Sequence, residues 1–260
     1  MYREYWKLER KPFENAPDPD FFYHAPEHAE GVERLGRLIK DRRGAGLLTG
    51  DYGSGKTTLL RVLDEELDLD QYLVARLNYP RLAAEEVAGE ILRELGAEAA
   101  GDAIERMHQL GELMLRTSQE GSHTLVIVDE AQIIRDDRVL LELGRLLDFR
   151  LEGQHLVTFL LVGEPAVRER ILRLPRFDQK ITVRHHISAL DAHQTRAYIG
   201  YRLDVAGADR ALFTEGAIEY VYDRTHGVPR EINSMCDMAL FVGARKKAKI
   251  VDERVVLRVA

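Results

Sequence analysis

The sequence predicts an α/β fold: a parallel sheet covered by helices on both faces, followed by a small domain made of helices alone. Three observations carry this. Short apolar runs alternate with helical patterns from Gly46 to Ile187. The runs 125–128 and 156–162 are near-continuously apolar rather than alternating, as strands buried on both faces require. After Asp191 the strand signal stops and only helical spacing continues.

Taken in order, residues 12–26 combine proline and aspartate with Phe13, Phe21, Phe22 and Tyr23, a composition that predicts an irregular arm packed by its rings. Residues 27–43 have helical spacing, with Val32, Leu35, Leu38 and Ile39 on one face. The run 46–49 is a short strand and 57–67 a helix; 72–77 is a strand, 83–95 and 103–120 are helices. The β-branched run 124–128 is a strand that ends in acids, and 139–151 is helical. Residues 156–162 form a buried strand, 166–174 a helix and 181–187 a strand. Asp191 is placed to cap a helix over 191–205, with further helices at 214–225 and 229–244 and a short end element at 251–257. The expected boundary lies near Ser188, dividing the chain into 1–188 and 189–260.

Composition narrows the function classes. With 260 residues, 45% of them hydrophobic, the chain can bury one large core and a smaller one. A formal charge of -7 gives no general attraction to nucleic acid or anionic lipid, so any such binding would be local. The single cysteine, Cys236, excludes an internal disulfide and a cysteine metal cage, and it reads as a small buried apolar residue. A reducing, cytoplasmic setting is expected. The first residues carry charges every few positions and no apolar signal core. The longest apolar runs, 125–128 and 156–162, are far shorter than the ~20 residues of a membrane-spanning helix, so no span is expected.

Gly50-Asp51-Tyr52-Gly53-Ser54-Gly55-Lys56-Thr57 satisfies G-x-x-x-x-G-K-[ST], with an apolar strand before it and a helix after. Glycines let the backbone approach a phosphate with positive φ and no Cβ. The amides converge at a helix N-terminus, where the dipole favours an anion. Lys56 adds charge at the β- and γ-phosphates, and the Thr57 hydroxyl is a candidate Mg²⁺ ligand. Thr58, next along the helix, is included among the residues expected to bind the nucleotide. The strand 124–128 leads into Asp129-Glu130, the Walker B position of P-loop proteins. Asp129 is the candidate to hold Mg²⁺ through water, and Glu130 the general base for an attacking water. A base directly after the metal aspartate suits hydrolysis better than transfer to a substrate. The chain contains no N-K-x-D guanine-reading motif, which points to ATP rather than GTP.

Further segments extend the pattern: Trp6-Lys7-Leu8 with Pro12-Phe13, Pro17-Asp18-Pro19-Asp20-Phe21-Phe22-Tyr23, Leu160-Leu161-Val162-Gly163-Glu164-Pro165, and Gly227-Val228-Pro229-Arg230-Glu231-Ile232-Asn233. With both motifs, they make the chain resemble, over essentially its whole length, the AAA+ ATPase domain of the ExeA/GspA-like group known from general secretion. That group is related to transposition ATPases of the TniB and MuB type and, more distantly, to origin-recognition ATPases. The resemblance implies a three-layer P-loop core and a helical lid with ATP and Mg²⁺ between them. It makes Phe22, Tyr23 and His24 candidates to line the base, or else rings that pin the arm to the core, and it places a γ-phosphate sensor at Gly163-Glu164. Relatives tend to carry a neutral polar residue where Glu164 stands, so Glu164 instead orients water or caps the helix from Pro165. Arg230 is implied as sensor 2, projecting from the lid helix toward the γ-phosphate. A trans-acting arginine is implied where this chain has Lys180, with Arg176 and Arg184 nearby. Side-by-side assembly into a ring or filament follows from such a residue.

Two partner classes follow from the resemblance: a secretion or envelope assembly, or duplex DNA together with a recombinase. An ATP-binding scaffold with little turnover is a third. Secretion relatives usually continue into a membrane segment and a cell-wall-binding part, neither of which lies in these 260 residues. The basic run 245–249 reads as charges at a helix C-terminus, or as a contact to a phosphate backbone. In His185-His186 one ring is expected to face in and one out, without enough further ligands for a metal.

Overall fold

A computed structural model describes residues 2–78 and 82–259. In chain order the elements are α1 (Tyr2–Trp6), α2 (Pro26–Lys40), β1 (Ala45–Gly50), α3 (Lys56–Glu66), β2 (Tyr72–Asn78), α4 (Val87–Glu94), α5 (Ala103–Gln119), β3 (His123–Asp129), α6 (Asp137–Leu146), β4 (Arg150–Leu151), β5 (Gln154–His155), β6 (Val157–Gly163), α7 (Pro165–Leu172), α8 (Pro175–Asp178), β7 (Ile181–Ile187), α9 (Ala192–Val205), α10 (Glu215–Thr225), α11 (Pro229–Arg245) and α12 (Glu253–Val256). By their contacts they form two units, one of residues 2–29, 51–62 and 188–259, the other of 30–50, 63–78 and 82–187.

The second unit holds a five-stranded sheet of order β2-β3-β6-β1-β7, parallel throughout. Its inner strands β1 and β6 are buried at every position, which is why they read as almost wholly apolar runs. Leu47, Val126, Val128, Phe159 and Leu161 form one core with Ile91 of α4, Leu110 and Met114 of α5, Leu143 of α6 and Ile171 of α7. Because the strands run parallel, the C-terminal ends of β1, β3 and β6 share one edge, with β6 between the other two. One feature differs from expectation. The helix predicted over 139–151 stops at Leu146, and β4 and β5 form a hairpin. Its two-residue turn, Glu152-Gly153, has positive φ at both positions (52° and 84°), the geometry that matches strand twist.

In the first unit the N-terminal arm packs on the C-terminal helices. Trp6 is 1% exposed and donates its indole N–H to the Leu240 carbonyl (2.8 Å). Phe13 meets Phe213 edge-on at 6.0 Å. Phe21 lies under two guanidinium groups, Arg10 at 4.6 Å and Arg202 at 4.8 Å. Arg202 is itself buried; it donates to the Pro12 and Glu14 carbonyls and to the Tyr198 hydroxyl. A division at 188/189 assigns this arm to the α/β part; by contact it groups with the helices beyond 188. The reason is the cover its rings find on α9 and α11. Asp191 caps α9 through the amide of Gln194 (2.7 Å), and α12 begins after Asp252, whose carboxylate accepts from Val255.

Candidate active site

The phosphate loop leaves the sheet at the end of β1 and enters α3 at Lys56. Gly53 has φ of 82°, and a Cβ there would stand 2.7 Å from Cβ of Arg230, so the turn needs glycine on both counts. Asp51 O gathers two donors, the Ser54 amide at 3.1 Å and Lys56 Nζ at 3.0 Å. His28 Nε2 lies 2.9 Å from Ser54 O. Lys56 is 8% exposed, and Ser54 Oγ is buried without a hydrogen-bond partner. A buried hydroxyl of that kind is a group a phosphate oxygen would satisfy. The first amides of α3 have no partners within their own helix and add positive potential at the same place. Gly50 is buried, Gly55 and Thr58 are half-buried, and Asp51, Tyr52 and Thr57 are exposed.

Arg230 reaches this loop through the start of α11. Gly227 has φ of 78°, and a Cβ on it would lie 1.7 Å from the Leu190 carbonyl oxygen. Val228 is the extended N-cap and Pro229 opens the helix, where its missing N–H costs nothing. The Arg230 amide then donates to Gly53 O (3.2 Å), and its guanidinium lies 4.7 Å over the ring of Tyr52. Asn15 of the arm supports the same turn: it donates to Ser234 Oγ (3.0 Å) and accepts from Asn233 (3.1 Å). Nothing in the sequence marks Asn15 for this. Of the aromatics expected beside a base, Phe22 is 4% exposed and packs edge-on to His24 and His28. Tyr23 packs against Tyr198 and Tyr201, and His24 is exposed.

In the other unit, the sheet presents the acidic pair at the end of β3. Asp129 is half-buried, and its Oδ1 accepts the Glu130 amide (2.8 Å). Glu130 sits in the left-handed region (φ 53°, ψ 39°), turning the chain sharply out of the strand. Glu164 holds the N-cap position of α7, yet its side chain makes no capping bond; its amide donates to Gln132 instead (3.1 Å). Gln132 follows the acid pair in sequence and was not singled out by its motif.

The three candidates for a trans-acting cation differ. Lys180 Nζ donates to the Gly144 carbonyl (2.6 Å) and to Asp148 (2.5 Å). Arg184 is held by Asp178 (2.6 Å) and by the carbonyls of Asp178 and Ile181. Arg176 is exposed and makes no ion pair among the described residues. His185 is buried and His186 exposed, with Nδ1 of His186 at 3.0 Å from Thr49 Oγ1. No cluster of three or more His, Cys, Asp or Glu fit to hold a metal occurs among the described residues. Cys236 is wholly buried, which pushes its thiol pKa up. No helix among the described residues is long and apolar enough to cross a membrane.

Comparisons with known proteins agree with this geometry. The family model described as AAA domain matches residues 39–171, just over half of the chain. The chain is similar to general secretion pathway protein A of Aeromonas hydrophila, at 32% identity over 257 residues; the match spans 96% of this chain and 46% of that protein. It therefore covers about half the length of that curated relative. Among solved structures it resembles the Aeropyrum pernix ORC2 protein in its ADPNP-ADP complexes, with TM-score 0.69 and 19% identity over 96% of this chain and 71% of that one. It also resembles the Aeropyrum pernix ORC1 protein in complex with DNA, with TM-score 0.65 and 18% identity over 92% and 66%. With its parallel five-stranded sheet and a phosphate loop leaving an inner strand of it, the chain belongs to the AAA domain family and has the P-loop AAA+ fold.

Proposed function

We propose that this chain binds ATP with Mg²⁺, hydrolyses it, and uses the nucleotide cycle as a switch on a partner assembly of a secretion or envelope system. The observation that carries the reading is Arg230 seated on the phosphate loop itself, by its amide on Gly53 O and its guanidinium over Tyr52. A phosphate bound there would meet the loop amides, Lys56 and a residue of α11 together. The backbone of residues 50–55, with Lys56 and Thr58, is assigned to the phosphates, and Arg230 to the γ-phosphate. Thr57 and Asp129 offer hard oxygen donors suited to Mg²⁺, which when bound neutralises phosphate charge. Glu130 takes the proton of a water that attacks the γ-phosphorus; the bond to the β–γ bridging oxygen breaks, and ADP and phosphate leave.

The secretion partner is supported by the 32% identity to general secretion pathway protein A. A cytoplasmic location and assembly into a ring or filament belong to the same reading. Since Lys180 and Arg184 are held by their own unit, Arg176 is the residue we assign to act on a neighbouring copy. A second reading, binding of duplex DNA, is favoured by the exposed cations Arg245, Lys246, Lys247 and Lys249 at the end of α11.

Two variants test the assignment. Lys56→Ala should abolish binding of a fluorescent ATP analogue, whereas Glu130→Gln should bind it normally and lose turnover. Hydrolysis by Glu130→Gln at the wild-type rate would remove Glu130 from the chemistry.

A further inference from the structure

We infer that Gln132 is a positioning residue that ties the Glu130 carboxylate to the end of β6; the inference rests on Glu130 being the general base. One side-chain amide makes both connections. Gln132 Nε2 donates to Glu130 Oε2 (2.5 Å), and Gln132 Oε1 accepts the backbone N–H of Glu164 (3.1 Å). The two bonds fix which end of the amide is which. A flipped amide would set its oxygen against a carboxylate and its NH₂ against an N–H, losing both bonds.

Three local features serve the bridge. Glu130 adopts left-handed backbone (φ 53°), a conformation disfavoured for a residue with a side chain. That turn leads into a single 3₁₀ turn, Ala131–Ile133, which carries Gln132 back toward Glu130. Residue 163 must then be small: a Cβ on Gly163 would stand 2.6 Å from Gln132 Oε1 and 3.3 Å from the amides of Ala131 and Gln132. β6 pairs directly with β3, Leu161 opposite Val128, so the ends of the two strands are held in register by the sheet.

The chemistry follows from the donor pattern. One carboxylate oxygen of Glu130 is occupied by Gln132, which restrains its rotamer and leaves Oε1 to take a proton. A base held in one orientation avoids the entropy loss of finding it during the reaction. A glutamate at 132 would fill the same volume but present an acceptor where Glu130 needs a donor. The bridge also makes the position of the base depend on the backbone at 163–164, so a displacement of that strand end would move Glu130.

Steady-state ATPase kinetics, nucleotide affinity and the amide resonance of Glu164 test this together. Gln132→Ala and Gln132→Glu should each lower kcat about ten-fold or more with Kd for ATP unchanged; a packing role alone would spare the isosteric glutamate. Gly163→Ala should lower kcat similarly by displacing Gln132, and adding it to Gln132→Ala should cost little further, since both remove one interaction. The Glu164 amide resonance should shift in all three variants. Unchanged or raised kcat in Gln132→Ala, additive losses in the double variant, or an unmoved Glu164 resonance would each overturn the inference. Wild-type turnover by Glu130→Gln is a different failure: it removes the base assignment, while the Glu164 resonance still decides whether the bridge exists.

Discussion

Acidification should weaken this protein through one buried imidazole. His123 opens β3, is 1% exposed, and places Nε2 2.9 Å from Thr158 Oγ1 while Nδ1 has no partner. Burial, helped by the positive charge of Arg42 and by His155, lowers its pKa from 6.5 to about 4. The unfolded chain therefore takes up a proton in a range where the folded chain does not. Stability from this source is complete above pH 6.5, falls as the pH drops from there, and stops falling below 4, where both states are protonated. At about 1.4 kcal/mol per pH unit, the interval corresponds to about 3 kcal/mol. Urea unfolding followed by circular dichroism, from pH 7.5 down to 4.5, measures it. Wild type should lose about 2.5 kcal/mol more over that range than His123→Gln, which has no imidazole to protonate. Comparing the slopes cancels the other titrating groups and the variant's own stability. Parallel curves would refute the argument.

Other outcomes can be checked as directly. Gly227→Ala forces a Cβ to 1.7 Å from the Leu190 carbonyl at positive φ, so it should cost ~2 kcal/mol or more in thermal unfolding and weaken nucleotide binding with it. Self-association should increase with a non-hydrolysable ATP analogue in sedimentation, and specific activity should rise with protein concentration. Arg176→Ala should keep ATP binding and lose turnover by roughly 10³-fold or more, as trans-acting arginines do; Lys180→Ala should leave turnover largely intact. If duplex DNA is a partner, retardation with ATP and Mg²⁺ should weaken steeply with salt and with neutralisation of the basic run at 245–249.

The parts legible in the sequence are those whose signals are local. The strand Ile181–Ile187 lies where its apolar residues place it, and α9 and α10 begin just after the Asp191 and Thr214 that cap them. The phosphate loop is legible because glycine, lysine and threonine each answer a separate demand of phosphate binding at fixed spacing. Legibility ends where a side chain acts across the fold. α1 has five residues, too few to show a period. The Glu152-Gly153 turn was hidden by apolar spacing that runs on from α6. Gln132 gains its meaning from Glu164, thirty-two residues away, through the pairing of β3 with β6. Lys180 stood where relatives carry arginine, and only its bonds to Asp148 and Gly144 show that it serves its own unit.

The arm also sets a clock for synthesis. Trp6 finds its acceptor at Leu240, 234 residues later, and Phe13 finds its ring partner at Phe213. At roughly 5–20 residues per second, a ribosome needs on the order of 10–50 s to deliver those partners. For that interval Trp6 and Phe13 lack the partners they have beyond residue 188. Chaperones that recognise exposed aromatic segments would find one in this arm until α11 is made. Rare codons between the sheet and α11 would lengthen that exposure without altering a single residue.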